Sequence, residues 1–531
     1  MPEVIIIGGG FSGICLAIQL KRKLGMQDFL LFDRGSKLGG VWANHVYPGA
    51  RCDIPTALYS LSFGQRYWKD LFSNGATIQG YIEQMASDYH ILDSNVRFSS
   101  EVVSATWSEM TKLWTVTVVD KSAKLLGQRT QYTCKILISA VGNMSIPKHL
   151  DIDGSDAFEG QIVHSGTYPT GLLLKDKNVV VVGSGCSSHQ IVPTIAPEVK
   201  TLTIFAPAKH WILPAPRLPV PWLFDLSSRY STIGKQLTRF AIFAYGETGH
   251  RAMHWSKGKS YRKGVEKASV QYINDTAPAQ YRDQLTPDFA FGSKRPIFDS
   301  GYLKALHRTN VTLLAERPLS LTQNAIISPC GKEVPADVVI AATGFLAQSF
   351  LTPMSIKGQD GVDLQAHMTR NGGLTSYKGS FYSRFPNFAT IYGPNSGTAH
   401  SSAIFMIECQ VNMVLKHLIT PVLQEEDVDS VVIKPEKELQ WMTWLRKELA
   451  DTVWEHNYSG WYSDLDGLCT ANYPRSQLHY WWTTAMTSRH DFIYDPRDFQ
   501  KGTYGSIREF ESFAIFVCLF ALVGFLSLVI L

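Results

Sequence analysis

Two short glycine-rich stretches, Gly8-Gly-Gly10-Phe-Ser-Gly13 and Gly183-Ser-Gly185-Cys-Ser-Ser188, each follow a run of aliphatic residues. A buried strand that stops at a glycine turn and resumes as a helix opens a βαβ unit. Two such units in one chain point to a pair of doubly wound α/β units. The glycines have separate tasks: the tight turn, the close approach of backbone to a pyrophosphate, and close helix–strand packing. The helix that follows aims unpaired N–H groups at the phosphates. In the first unit Val4–Ile7 and Phe29–Phe32 are the expected strands and Ile14–Leu24 carries helical apolar spacing. Asp33 stands twenty residues after Gly13, where an acid binds ribose hydroxyls. The second unit opens on Asn178–Val182 and nearly repeats the first, with Ser188 in place of the third glycine. Its second strand ends near Phe205 and is followed by Ala206-Pro-Ala-Lys209-His210-Trp211, with no acid. A lysine there suits a 2′-phosphate, so this unit leans towards NADP.

At 531 residues the chain is longer than one core usually organises. Fifty Lys and Arg against 46 Asp and Glu leave +4, with no basic block, so no nucleic-acid partner is expected. The eight cysteines include no CxxC pair, so neither a metal site nor a disulfide framework is expected, and a flavin-linked disulfide reductase lacks its redox pair. Met1-Pro-Glu runs directly into the first strand, which leaves no room for a signal-peptide apolar region. Ser512–Leu531 is twenty residues without a charge. As a helix rising about 1.5 Å per residue it spans roughly 30 Å, a bilayer core. A single-pass C-terminal transmembrane anchor is expected, with the preceding domains facing the cytosol.

Between these landmarks, the loop Gly39–Asp53 is crowded with Pro and Gly yet carries Trp42, Tyr47, Arg51 and Asp53. Such groups on a long loop suggest function. A helix over Ile78–Tyr89 and strands near Val96–Phe98, Val102–Trp107, Leu113–Val119 and Ile136–Val141 follow. Phe158–Pro169 reads as a polar connector whose one histidine, His164, is structural. From Leu213 to about Asp288, proline turns precede aromatic-rich helical spacing, an inserted helical lobe that would wall a substrate pocket. The adjacent cations Lys294 and Arg295 then stand in a loop, and Val338–Ile340 is a strand feeding the turn at Gly344. The helix Ile404–Leu418 and an aromatic stretch, Trp454–Trp482, fill the last third. The expected division is residues 1–147 and 380–505 for a first dinucleotide domain, 148–210 and 294–379 for a second, 211–293 for the helical insert, and 512–531 for the tail.

With these pieces in order, the chain resembles the class B flavoprotein monooxygenases, and among them the Baeyer–Villiger monooxygenases. Phe158, Gly160, His164 and Pro169 match the fingerprint FxGxxxHxxxWP, with Tyr168 in place of Trp. Gly39–Asp53 is similar to the family's GGTW…YPGxxCD segment, and Lys294-Arg295-Pro296 to its KRP segment. The resemblance implies FAD on the first glycine turn and NADPH on the second. It implies a cofactor-binding set of Gly8, Gly10, Gly13, Asp33, Val41, Trp42, Asn44, Arg51, Cys52, Asp53, Tyr59, Gly183, Ser184, Gly185, Ser187, Ser188, Lys209 and Lys294. It makes Arg295 the cation that stabilises an anionic flavin peroxide attacking a ketone, and Asp53 the carboxylate that holds Arg295 in place. The implied reaction uses O2 to insert one oxygen beside the carbonyl of a lipophilic ketone, such as a secondary-metabolite intermediate. The alternatives on the same scaffold are N- or S-oxygenation and epoxidation.

Overall fold

Each aliphatic run forms the central strand of its own five-stranded parallel sheet. In the first sheet the order is Phe388–Thr390, Ile136–Ser139, Val4–Ile7, Phe29–Phe32, Val96–Arg97. In the second it is Val311–Leu314, Thr201–Phe205, Asn178–Val182, Val338–Ala341, Gln161–His164. The computed structural model describes residues 1–93, 95–216, 221–456, 461–464 and 466–495. Val4–Ile7 and Val179–Val182 are buried throughout, as continuous aliphatic runs in a parallel sheet covered on both faces must be. The helices Phe11–Leu24 and Cys186–Ile195 leave the two glycine turns.

The stretch read as a polar connector contains a strand. Gln161–His164 pairs in parallel with Val338–Ala341 and forms the edge of the second sheet. Gln161 and Ile162 are exposed there. An edge strand tolerates polar side chains because only one of its sides is paired. Four residues without clean alternation carry too little pattern to be recognised.

The first sheet is discontinuous in sequence, since Phe388–Thr390 comes back to pair with Ile136–Ser139. Its outer layer is an antiparallel meander, Ser100–Ser108, Leu113–Asp120 and Arg129–Cys134, to which Ser355–Lys357 adds in parallel. Phe350, Ile356, Leu364 and Met368 share one core with Leu137 and Phe388. The chain has therefore joined the packing of the first sheet before the boundary expected at residue 380. Arg129–Cys134 was not expected, because five of its six side chains lie outside the core.

Three helices, Pro221–Tyr230, Thr232–Thr248 and Lys259–Thr276, make the helical lobe. Its base is a short parallel ladder, Ile212–Pro214 against Ile297–Asp299, which sets the chain's entry and exit side by side. Arg239 fastens the lobe to the first unit. Its Nη1 donates to the carbonyls of Ala57 and Ser60, both at 2.7 Å, and its Nη2 lies 3.5 Å from Glu408. Glu408 sits on the helix Ala403–Val414, which packs against Phe11–Leu24. The run Ala403–Gln424 is apolar and long enough to cross a membrane, but 72% of its apolar window is buried inside the protein. It is a core helix. The expected tail, Ser512–Leu531, lies outside the described residues.

Removing one partner of a buried ion pair strands the other charge, at a cost of about 3–5 kcal/mol. Arg239→Met is expected to lower stability on that scale in chemical denaturation. The double variant R239M/E408L should recover most of the loss, and no recovery would show that Arg239 acts mainly through its carbonyl bonds.

Candidate active site

The two glycine turns are built alike. At Gly13 a Cβ would stand 1.9 Å from the Gly8 carbonyl oxygen, and at Gly183, where φ is +134°, 2.3 Å from the Ala342 carbonyl oxygen. Side chains are therefore shut out by the protein's own backbone. At Gly185 a Cβ would meet nothing within 4 Å, so that side of the second turn is open. Neither Gly10 nor Gly185 is joined by a side-chain cap, and neither helix has an acid in its first turn. Such helix starts leave N–H groups for an anion. Asp33 Oδ2 accepts from Gly9 N at 2.6 Å and Oδ1 accepts from Gly35 N at 2.7 Å. Each oxygen keeps a second lone pair, the acceptor capacity a ribose needs. These features fit a dinucleotide at each turn.

Asp53 and Arg295 meet. Arg295 Nε donates to Asp53 Oδ2 at 2.5 Å and Nη2 to Oδ1 at 2.8 Å, a bidentate pair between residues 242 apart in sequence. Burial opposes the Arg295 charge, but the carboxylate outweighs it and holds the guanidinium well above its ordinary range. The nearby groups stay neutral. Burial pushes His189 down to about 4 and, with His189 and Lys294 adding, His210 down to about 3. It pushes Tyr47 and Cys186 up to about 12. Arg295 is thus a permanent cation whose histidine, tyrosine and cysteine neighbours named here are uncharged at neutral pH.

Both partners are held from behind. The loop carrying Asp53 presses on the helix Cys186–Ile195, and a Cβ at Gly49, where φ is +82°, would stand 2.3 Å from the Gln190 carbonyl oxygen. Gln190 clasps that loop: its Oε1 accepts from Tyr47 OH at 2.9 Å and Arg51 N at 3.3 Å, and its Nε2 donates to Arg51 O at 3.0 Å. The loop before Arg295 is fixed by two indoles, Trp211 Nε1 donating to Phe289 O at 3.0 Å and Trp454 Nε1 to Gly292 O at 3.1 Å.

The other expected residues fall as follows. Val41, Trp42 and Asn44 form a one-turn helix inside the loop, and Trp42 Nε1 donates to Tyr59 OH at 3.2 Å. Cys52 is buried, its thiol pushed up by burial, and its Sγ accepts from Ile54 N at 3.4 Å. Ser184 and Ser188 are buried, while Ser187 Oγ donates to Tyr47 OH at 3.4 Å. Lys294 lies 4.6 Å above the Phe289 ring and is pushed down by burial; Lys209 is half-buried. The Arg51 side chain is exposed, and its main chain is held by Gln190. His164 Nδ1 accepts from Gly166 N at 2.9 Å, a turn-forming bond, and its ring lies edge-on to Phe345, on which His45 stacks. Gln190, His189 and His210 were not expected. An amide one turn into a helix and two neutral histidines have no chemistry to announce, and only Gln190's position five residues past Gly185 placed it near the turn.

Residues 6–74 match the family described as NAD(P)-binding Rossmann-like domain, and residues 79–222 the one described as L-lysine 6-monooxygenase/L-ornithine 5-monooxygenase. The FAD-binding monooxygenase ktnD of Aspergillus niger is 31% identical over 92% of this chain and 81% of its own length. Baeyer–Villiger monooxygenases of Pseudomonas aeruginosa and Streptomyces coelicolor are 30% and 31% identical over 85% and 89% of the chain, and 83% and 88% of their own lengths. The chain belongs to the FAD-binding, Baeyer–Villiger monooxygenase family. The fold agrees with that membership: a cyclohexanone monooxygenase from Rhodococcus sp. Phi1 bound to NADP+ superposes with a TM-score of 0.77 at 24% identity, over 93% of this chain and 99% of that one. An oxidised steroid monooxygenase bound to NADP gives 0.78 at 23%, over the same shares.

Two glycine substitutions separate the parts of this monooxygenase. Gly13→Ala forces a methyl onto the Gly8 carbonyl, and the protein is expected to purify without flavin absorbance. Gly49→Ala displaces the loop bearing Asp53 but leaves the first turn intact. It should keep its flavin while NADPH-driven product formation falls by about 10²-fold, as misplacement on the ångström scale does elsewhere. Equal flavin loss in both variants would refute the separation.

Proposed function

We propose that this enzyme, an FAD- and NADPH-dependent monooxygenase, inserts one oxygen atom beside the carbonyl of a lipophilic ketone to give an ester or lactone. Bound FAD supplies the oxygen-activating redox chemistry and NADPH the hydride. The residues' task is to position and charge-stabilise. The observation that carries the reading is the bidentate Arg295–Asp53 pair. Nucleophilic oxygen transfer to a carbonyl builds negative charge, first on the attacking oxygen and then on the former carbonyl oxygen. A guanidinium already charged and already oriented stabilises that charge without reorganisation. Asp53 uses Nε and Nη2, which leaves Nη1 and the second Nη2 hydrogen for substrate oxygens.

The walls around Arg295 favour an apolar ketone. Trp211, Phe291 and Trp454 belong to one buried cluster that Phe289 and Leu213 pack against. Under this reading Lys209 and Lys294 hold the NADPH phosphate, and Asp33 the FAD ribose. Under this reading the chain forms two dinucleotide domains, interrupted by the lobe and by the return of the chain to the first sheet, with Arg295 in the loop two residues before the strand Ile297–Asp299. Ser512–Leu531 anchors the enzyme in a bilayer with the catalytic portion facing the cytosol, on the strength of twenty uncharged residues.

A second reading is heteroatom oxygenation, supported by Tyr168 at the fingerprint's tryptophan position and by the match of residues 79–222 to the family described as L-lysine 6-monooxygenase/L-ornithine 5-monooxygenase. Tyr168 is buried away from solvent among the aliphatic side chains of the second unit. The two readings part on Arg295. With a ketone and a thioether side by side, Arg295→Ala is expected to keep FAD and to consume NADPH. Ester formation should drop about 10²–10³-fold, the loss typical of a removed oxyanion donor. Ester formation at wild-type rate in this variant refutes the assignment. Sulfoxide as the sole wild-type product would establish the second reading.

A further inference from the structure

We propose that the solvent face of the helical lobe is a docking surface for an anionic lipid bilayer. On the helix Thr232–Thr248 the exposed positions Ile233, Leu237, Ala241 and Tyr245 recur every four residues, so an apolar strip runs along the side turned away from the core. Ile233 is 69% exposed and Tyr245 75%. The neighbouring helix, joined to this one through Ser231, adds Tyr230 at 77% and Leu226 at 52%. Single exposed apolar residues need no explanation, but a row of them on one hairpin does. Nothing among the described residues covers it.

Charge selects the occupant. Residues 221–276 hold nine Lys and Arg against four Asp and Glu, or +5, while the whole chain carries only +4. The rest of the protein is therefore slightly acidic, and the lobe is where its positive charge is gathered. Arg251, Lys257, Lys259, Lys263 and Lys267 are exposed, with the exposed rings of Trp255 and Tyr261 among them. An apolar strip on one helix of a lobe whose next segments, Gly249–Met253 and Lys259–Thr276, expose lysines and interfacial aromatics is the composition that lies in an anionic headgroup layer. A second copy of the chain would set +5 against +5 across this face. An uncharged segment such as Ser512–Leu531 would leave the lysines unused. The lobe's base runs directly to Arg295, two residues before Ile297, so docking would hold the segment that carries Arg295 near the bilayer. The inference rests on the lobe's own residues and is separate from the anchor reading of the tail.

The test is hydroxyl-radical footprinting of the flavin-loaded full chain, free and on vesicles of phosphatidylcholine with or without phosphatidylserine. Tyr230 and Tyr245 should become several-fold less reactive on the serine-containing vesicles, with Met110, 91% exposed on the distant meander, unchanged. I233E/L237E should restore their reactivity, and K259E/K263E/K267E should abolish the difference between the two lipids. Tyrosines equally reactive with and without vesicles overturn the proposal, as do tyrosines already protected in the free protein, which would mean that the tail or a second copy covers the strip. Flotation in high salt reads the tail alone. Vesicles that float the chain while both tyrosines stay reactive sink the lobe proposal and keep the anchor; protection without salt-resistant flotation does the reverse.

Discussion

The Arg295–Asp53 pair is the contact on which the arrangement of this enzyme turns. It joins a loop of the first dinucleotide unit to the chain leaving the helical lobe, across 242 residues. A partly buried guanidinium needs a carboxylate to remain favourable, and a carboxylate beside apolar rings needs the guanidinium. The supports on each side are rigid for the same reason. Gly49 lets the loop touch the helix Cys186–Ile195, Gln190 ties the loop's main chain to that helix, and two indole N–H groups fix the loop before Arg295. The pair reports on the mutual placement of three parts of the molecule.

Gln190 makes that placement a joint property of the two units. It belongs to the helix that starts at the second glycine turn, yet all three of its loop bonds go to the segment after the first. The stack of His45 on Phe345, with His164 edge-on, is a second crossing between the same loop and the turn that follows the return strand Val338–Ala341 of the second unit. The fingerprint histidine is a structural member of this crossing.

Much of this was legible in the chain because the signals were local. The aliphatic runs, the glycine turns, Asp33 and the core helix after Ser402 are patterns of a few residues with a direct physical cause, and both central strands lie where those patterns put them. Asp53, Arg295 and their pairing were recognisable only through family segments, since no spacing rule links residues 242 apart. The misses share a cause. Gln161–His164 and Arg129–Cys134 are edge or solvent-facing strands with weak alternation, and the joining of Ser355–Lys357 to Ser104–Thr106 is decided by tertiary packing. Gln190 acts through an amide whose partners are backbone atoms of another segment.

The discontinuity of the first sheet has a consequence during synthesis. The strand Ile136–Ser139 has an open edge until Phe388–Thr390 arrives about 250 residues later. At about 5–20 residues per second, a ribosome leaves that edge unsatisfied for roughly 10–50 s. The second sheet, whose last strand is Val338–Ala341, can close first although it begins later. Nascent chains of this enzyme thus carry a finished nucleotide unit attached to an unfinished one, and that interval is when a chaperone guarding an exposed parallel edge would matter most.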